Sequence, residues 1–98
     1  MAELDLTEKH VEFIKKTVRE ILPDVEIYVY GSRVQGKAKR YSDVDIALKS
    51  KSAIPFLRLL DIKTAFENST FPYNVDVIDL NSIKDDFKNI IFKDLYKL

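Results

Sequence analysis

Ninety-eight residues carrying 16 basic and 16 acidic side chains, with no net charge and no cysteine, describe one small domain, residues 1–98, with a modest core. The balanced charge argues against a chain whose main task is gripping nucleic acid, and the lack of cysteine excludes disulfides, thiol nucleophiles and thiolate metal sites. No apolar run approaches the ~20 residues of a membrane span, and the acidic start is unlike a signal peptide, so a soluble cytoplasmic protein is expected.

Thr7 is a candidate N-cap, and Val11, Ile14, Val18, Ile21 and Leu22 follow at helical spacing until Pro23 stops the pattern. His10, beside Glu8 and Glu12, reads as a solvated surface histidine. Val25 to Tyr30 is β-branched and aromatic, a strand with Val25, Ile27 and Val29 on one face and Glu26, Tyr28 and Tyr30 on the other. Gly31-Ser32 breaks it, and Ser32 to Lys39 suits a short helix. Val44 to Leu48 is a second strand, its apolar face Val44, Ile46 and Leu48 opposed by Asp43, Asp45 and Ala47.

Pro55 opens a helix carrying Leu57, Leu59, Leu60, Ile62, Ala65 and Phe66 through about Asn68. Its apolar surface is broad enough for part of it to meet a partner. Asn74 to Leu80 is a third strand with Val75 and Val77 opposed by Asp76 and Ile78. Asn81 or Ser82 is placed to cap a last helix, which Ile83, Phe87, Ile90, Ile91, Leu95 and Leu98 extend to the end of the sequence. The order is αβαβαβα: a mixed α/β (α+β) fold with a three-stranded sheet backed by helices. So small a core leaves room for a homodimer or a partner subunit.

The chemistry gathers in Gly31 to Asp45. Asp43 and Asp45, two apart on a strand, share a face and repel each other unless a cation lies between them. With oxygen donors alone, that cation is Mg²⁺ or Mn²⁺ rather than Zn²⁺. If the second and third strands are neighbours, Asp76 joins the pair, and three such carboxylates can hold two ions for phosphoryl or nucleotidyl transfer. Gly31 allows close backbone approach and Ser32 adds a hydroxyl to amides that can hold phosphate oxygens. Arg33, Lys37, Lys39 and Arg40 supply positive charge, although a short helix cannot aim all four at one point. Gly36 is not followed by the Gly-Lys-Ser/Thr of a P-loop, which rules out a Walker-type ATPase.

Gly31-Ser32, ten residues, then Asp43-x-Asp45 resembles the signature of the DNA polymerase beta-like nucleotidyltransferase superfamily. The fuller string Gly-Ser-Arg-x-x-Gly with Ser42-Asp43-x-Asp45-Ile46 looks like its minimal nucleotidyltransferase branch. The resemblance implies the nucleotidyltransferase fold, with ATP as substrate and two divalent ions, Mg²⁺ or alternatively Mn²⁺. Asp43 and Asp45 would hold the metal, and Asp76 would complete the site and act toward the acceptor. Gly31 and Ser32 would hold the β- and γ-phosphates, assisted by Arg33 and by Lys39 or Arg40, while Ser42 supports the turn presenting Asp43. It further implies a small helical HEPN-type partner, on which an antitoxin of this kind places AMP at a tyrosine. The alternative is a non-catalytic nucleotide-binding subunit that masks its partner by binding.

Overall fold

The computed structural model describes residues 4–36 and 42–98, with nothing stated of the Gln35 side chain. Among the described residues, four α-helices and four strands run in the order α1 (Glu8–Ile21), β1 (Glu26–Tyr30), α2 (Ser32–Gln35), β2 (Val44–Lys49), α3 (Phe56–Glu67), β3 (Val75–Asp79), α4 (Asp85–Ile91) and β4 (Tyr96–Lys97). The sheet order is β3-β2-β1-β4, with β2 and β3 parallel and the other pairs antiparallel. Helix α3 makes the crossover that a parallel pair requires. None of the described helices is long and apolar enough to cross a membrane.

Period-two alternation gives the sheet two unlike faces. On one, Ile27, Val29, Val44, Ile46 and Leu48 are fully buried beneath Ile14 and Val18 of α1 and Ile62 and Phe66 of α3. At about 1.5–3 kcal/mol for each large aliphatic side chain taken from water, this face holds the fold together. Ile46→Ala, in the middle of it, is expected to cost about 3 kcal/mol in urea unfolding, the usual toll of a cavity in a packed core. The other face carries a smaller cluster, in which Ala47, Leu80 and Ile91 pack with Tyr28 and Ile78.

Three expectations need correction. His10 is not a solvated bystander: its Nδ1 accepts from the Thr7 amide at 3.4 Å while the Thr7 hydroxyl accepts from the His10 amide at 3.2 Å, closing a capping box. Its ring also meets Phe71 and Tyr73 edge-on. Helix α4 starts at Asp85 rather than after Asn81 or Ser82, because these two serve a turn instead. Buried Asp79 accepts from the Asn81 amide at 3.0 Å, the Ser82 hydroxyl at 2.8 Å and the Ile54 amide at 2.7 Å.

The last helix also ends early. A 3₁₀ turn, Phe92–Asp94, leads into β4, so the sheet of the described residues has four strands, not three. Continuing the helix would have left the backbone groups along the edge of β1 unpaired; β4 pairs with them, and Leu98 N donates to Ile27 O at 2.9 Å. The mixed α/β class stands.

Candidate functional site

The strand registers build the site. Tyr28, Ala47 and Ile78 lie side by side across β1, β2 and β3, and two residues along each of β1 and β2 the row becomes Tyr30, Asp45 and Asp76. The apolar row packs with residues of the α4 segment, as Tyr30 does, whereas Asp45 and Asp76 bring carboxylates to the next row. Strand neighbours sit about 4.8 Å apart, so Asp45 and Asp76 are close companions on one face. Two full charges at such a separation repel by roughly 3 kcal/mol at an effective dielectric near 20.

The consequence shows in Asp45. Burial, then the charges of Asp76 and Asp43, push its carboxyl up from 3.8 to about 6. Burial together with Asp45 and Asp76 likewise raises the Tyr30 phenol to about 12, so this ring stays neutral beside the carboxylates. Asp43, just before β2, is exposed and lines a groove with Asp76, Lys63, Glu67 and Asn74. Lys63 of α3 brings its Nζ to 3.5 Å from Asp76 Oδ1, partly balancing the outer end of the row.

Among the described residues, no three His, Cys, Asp or Glu side chains close on one point as a ready-made metal cage. Asp43, Asp45 and Asp76 thus share a face without being drawn together. Their chemistry nevertheless suits a hard divalent ion: the donors are carboxylate oxygens, and Asp45, raised first by burial, is raised further by neighbouring charges that a cation would relieve.

Gly31 abuts this row. It sits at φ 78°, and a Cβ built on it would run into Asp45 Oδ2. The glycine therefore serves both the left-handed turn and the close approach of backbone to carboxylate. Gly31→Ala should lower stability by about 1–2 kcal/mol and displace Asp45, read as a lower melting temperature in thermal unfolding. Ser32 opens α2, which is a single turn ended by Gly36 at φ 72°, shorter than the helix to Lys39 read from the sequence. Lys37, Lys39 and Arg40 lie outside the described residues.

Arg33 departs from the phosphate contact expected of it. Only 4% exposed, it donates from Nη2 to Ser42 O at 2.8 Å and from Nη1 to Asp5 O at 3.3 Å, and its guanidinium lies 4.0 Å from the centroid of the Tyr73 ring. The Asp5 amide returns a bond to Arg33 O at 2.7 Å. A single side chain thus ties the turn at Gly31 to the residue before Asp43 and to the segment leading into Asp76. Ser42, expected to support the Asp43 turn, joins this tie through its carbonyl.

The sequence reading missed Lys63, which carried no signal beyond a solvent-facing position on α3, and missed Asp5 and Tyr73 as partners of Arg33. Tyr30 was placed on the polar face, but its seat in the carboxylate row follows only from the register.

Comparison with known proteins identifies the family. The family profile described as Polymerase beta, Nucleotidyltransferase matches residues 8–96. The probable protein adenylyltransferase MntA of Haemophilus influenzae is 38% identical over 92 residues, covering 94% of this chain and 81% of that protein. The protein adenylyltransferase MntA of Thermococcus cleftensis is 30% identical over 94 residues, covering 92% and 94%. Among solved structures, a toxin–antitoxin complex with AMP-PNP aligns at TM-score 0.76 and 25% identity, over 94% of this chain and 72% of the matched one. A chain from the complex of tri-AMPylated Shewanella oneidensis HEPN toxin with MNT antitoxin shares the fold, at TM-score 0.72 and 19% identity, over 94% and 71%. With the matched profile spanning nearly the whole chain and close curated relatives alongside it, this protein belongs to the Polymerase beta nucleotidyltransferase family.

Proposed function

We propose that this chain, working as a single cytoplasmic domain, transfers AMP from ATP to a tyrosine hydroxyl of a HEPN-type partner and so acts as the antitoxin of a toxin–antitoxin pair. The observation that carries the reading is the row Tyr30–Asp45–Asp76 set against the Gly31 turn, together with Asp43 at its rim. The partner is inferred from the relatives, which include protein adenylyltransferases and a HEPN–MNT complex.

In this reading the acceptor oxygen attacks the α-phosphorus of ATP, the bond from that phosphorus to the bridging oxygen breaks, and pyrophosphate leaves. Asp76, at the outer end of the row, takes the phenolic proton, yielding the AMP–tyrosine ester. Gly31 and Ser32 hold the β- and γ-phosphates through the turn amides and the hydroxyl. Lys39 and Arg40 assist there. Asp43 and Asp45, completed by Asp76, would hold Mg²⁺, one ion or two, which when bound neutralises charge on the transferring and leaving phosphates.

The test is to incubate the purified chain and its HEPN-type partner with Mg²⁺ and α-labelled ATP. Label on a partner tyrosine is expected, and its loss in Asp43→Asn/Asp45→Asn. A wild-type pair that leaves no label while still binding ATP would refute transfer.

A further inference from the structure

In the sheet of the described residues, β3 is an outer strand, so Asp76 stands at the margin of the carboxylate row rather than inside it. Helix α3 runs alongside that margin. Lys63, paired with Asp76, belongs to two adjoining grooves: one with Asp43, Asn74 and Asp76, the other with Phe56, Leu59, Leu60 and Val77. The polar groove of the site thus continues into an apolar one through a single side chain.

The apolar groove opens onto uncovered hydrophobic surface. Phe56 is 73% exposed, Leu57 64% and Leu60 45%, three large side chains within the first five positions of α3. Isolated exposed apolar residues need no explanation, but a contiguous patch next to a site does. The other exposed apolar stretch, on α4 and the turn after it, borders Tyr30 and Gly31, the side of the row assigned to the nucleotide phosphates.

We infer that the N-terminal half of α3, with the groove leading past Lys63 to Asp76, is the docking surface for the acceptor protein, and that the acceptor hydroxyl reaches the site across the β3 margin. The inference rests on the proposed transfer to a partner protein and adds where that partner sits. Its occupant is a protein face with apolar side chains around the acceptor tyrosine. A tyrosine suits the junction, since its ring is apolar and its hydroxyl must end beside the Lys63–Asp76 pair. The phosphate side and the acceptor side then lie at opposite ends of one row, as in-line displacement of pyrophosphate requires.

The test compares Phe56→Glu/Leu60→Glu with Phe92→Glu, which places the same charge on the α4 side, where Phe92 is 53% exposed. The probe is a purified HEPN-type toxin of the kind found with MNT antitoxin in the matched complex. All three positions are solvent-facing, and unchanged melting temperatures and ATP affinities verify folding of each variant. The α3 pair should raise the KM for the partner by about 10-fold or more and weaken the complex, with the KM for ATP unmoved, while Phe92→Glu changes neither. An α3 pair with wild-type partner KM, or a loss carried by Phe92→Glu instead, would overturn the assignment. Amide-exchange protection of the chain by the partner, without ATP, is a separate readout: protection of residues 56–63 supports the surface even if no AMP is transferred, and its absence overturns the surface even if AMP is transferred.

Discussion

Asp45→Asn is expected to abolish AMP transfer and, at the same time, to make the metal-free protein more stable at neutral pH. The loss of activity should reach at least about 10²–10³-fold, as for removal of one group that manages transition-state charge. The gain in stability follows from linkage. The folded-state carboxyl is raised from 3.8 to about 6, so between these values the folded protein holds a proton that the unfolded chain has released. Stability of the wild type therefore falls as pH rises through that window and stays reduced above it.

The full shift would correspond to about 3 kcal/mol, and solvent screening of a partly open carboxyl reduces this to about 1 kcal/mol. Thermal melts in chelator should show the variant several degrees above wild type at pH 7.5, with the gap closing below about pH 4. Adding Mg²⁺ should stabilise wild type more than the variant. A variant less stable than wild type at pH 7.5 without metal would contradict the electrostatic account of the site.

Arg33→Ala, by contrast, is expected to destabilise the protein. It removes two hydrogen bonds to carbonyls, the stacking on Tyr73 and the volume of a buried side chain, a total of about 3 kcal/mol. Arg33→Lys is the informative variant. A lysine keeps the charge but not the planar fork, so it cannot reach Asp5 and Ser42 together while lying over a ring. If Arg33 positions the turn, Lys should recover less than half of the stability and lower kcat with little change in KM for ATP. Were the residue a phosphate contact, Lys would largely preserve both constants.

Much of this molecule could be read from its residues because alternation is a strong signal. Val25, Ile27 and Val29, and then Val44, Ile46 and Leu48, named both strands and their buried face, and the same alternation set Asp43, Asp45 and Asp76 on the opposite one. The Gly31 turn was legible because few residues tolerate its backbone. What stayed hidden depends on partners distant in sequence. Residues 92–98 kept helical spacing, yet the free edge of β1 drew Tyr96–Lys97 into the sheet. Arg33 looked like a phosphate ligand because its neighbours were glycine and serine, and only the fold brings Asp5, Ser42 and Tyr73 around it. Local pattern specifies which face a side chain takes; it does not specify what waits there.

Strand β2 supplies the core with Val44, Ile46 and Leu48 and the site with Asp45, on alternate residues of one segment. Folding and chemistry are therefore written in the same two-residue frame. A point substitution can damage one and spare the other, as Asp45→Asn should. Deleting a single residue within β2 cannot: every later side chain would change faces, carrying isoleucine and leucine toward water and burying what belongs beside the nucleotide. This segment should accept changes of letter far more readily than changes of length, whereas the loop before α3 stands outside that frame.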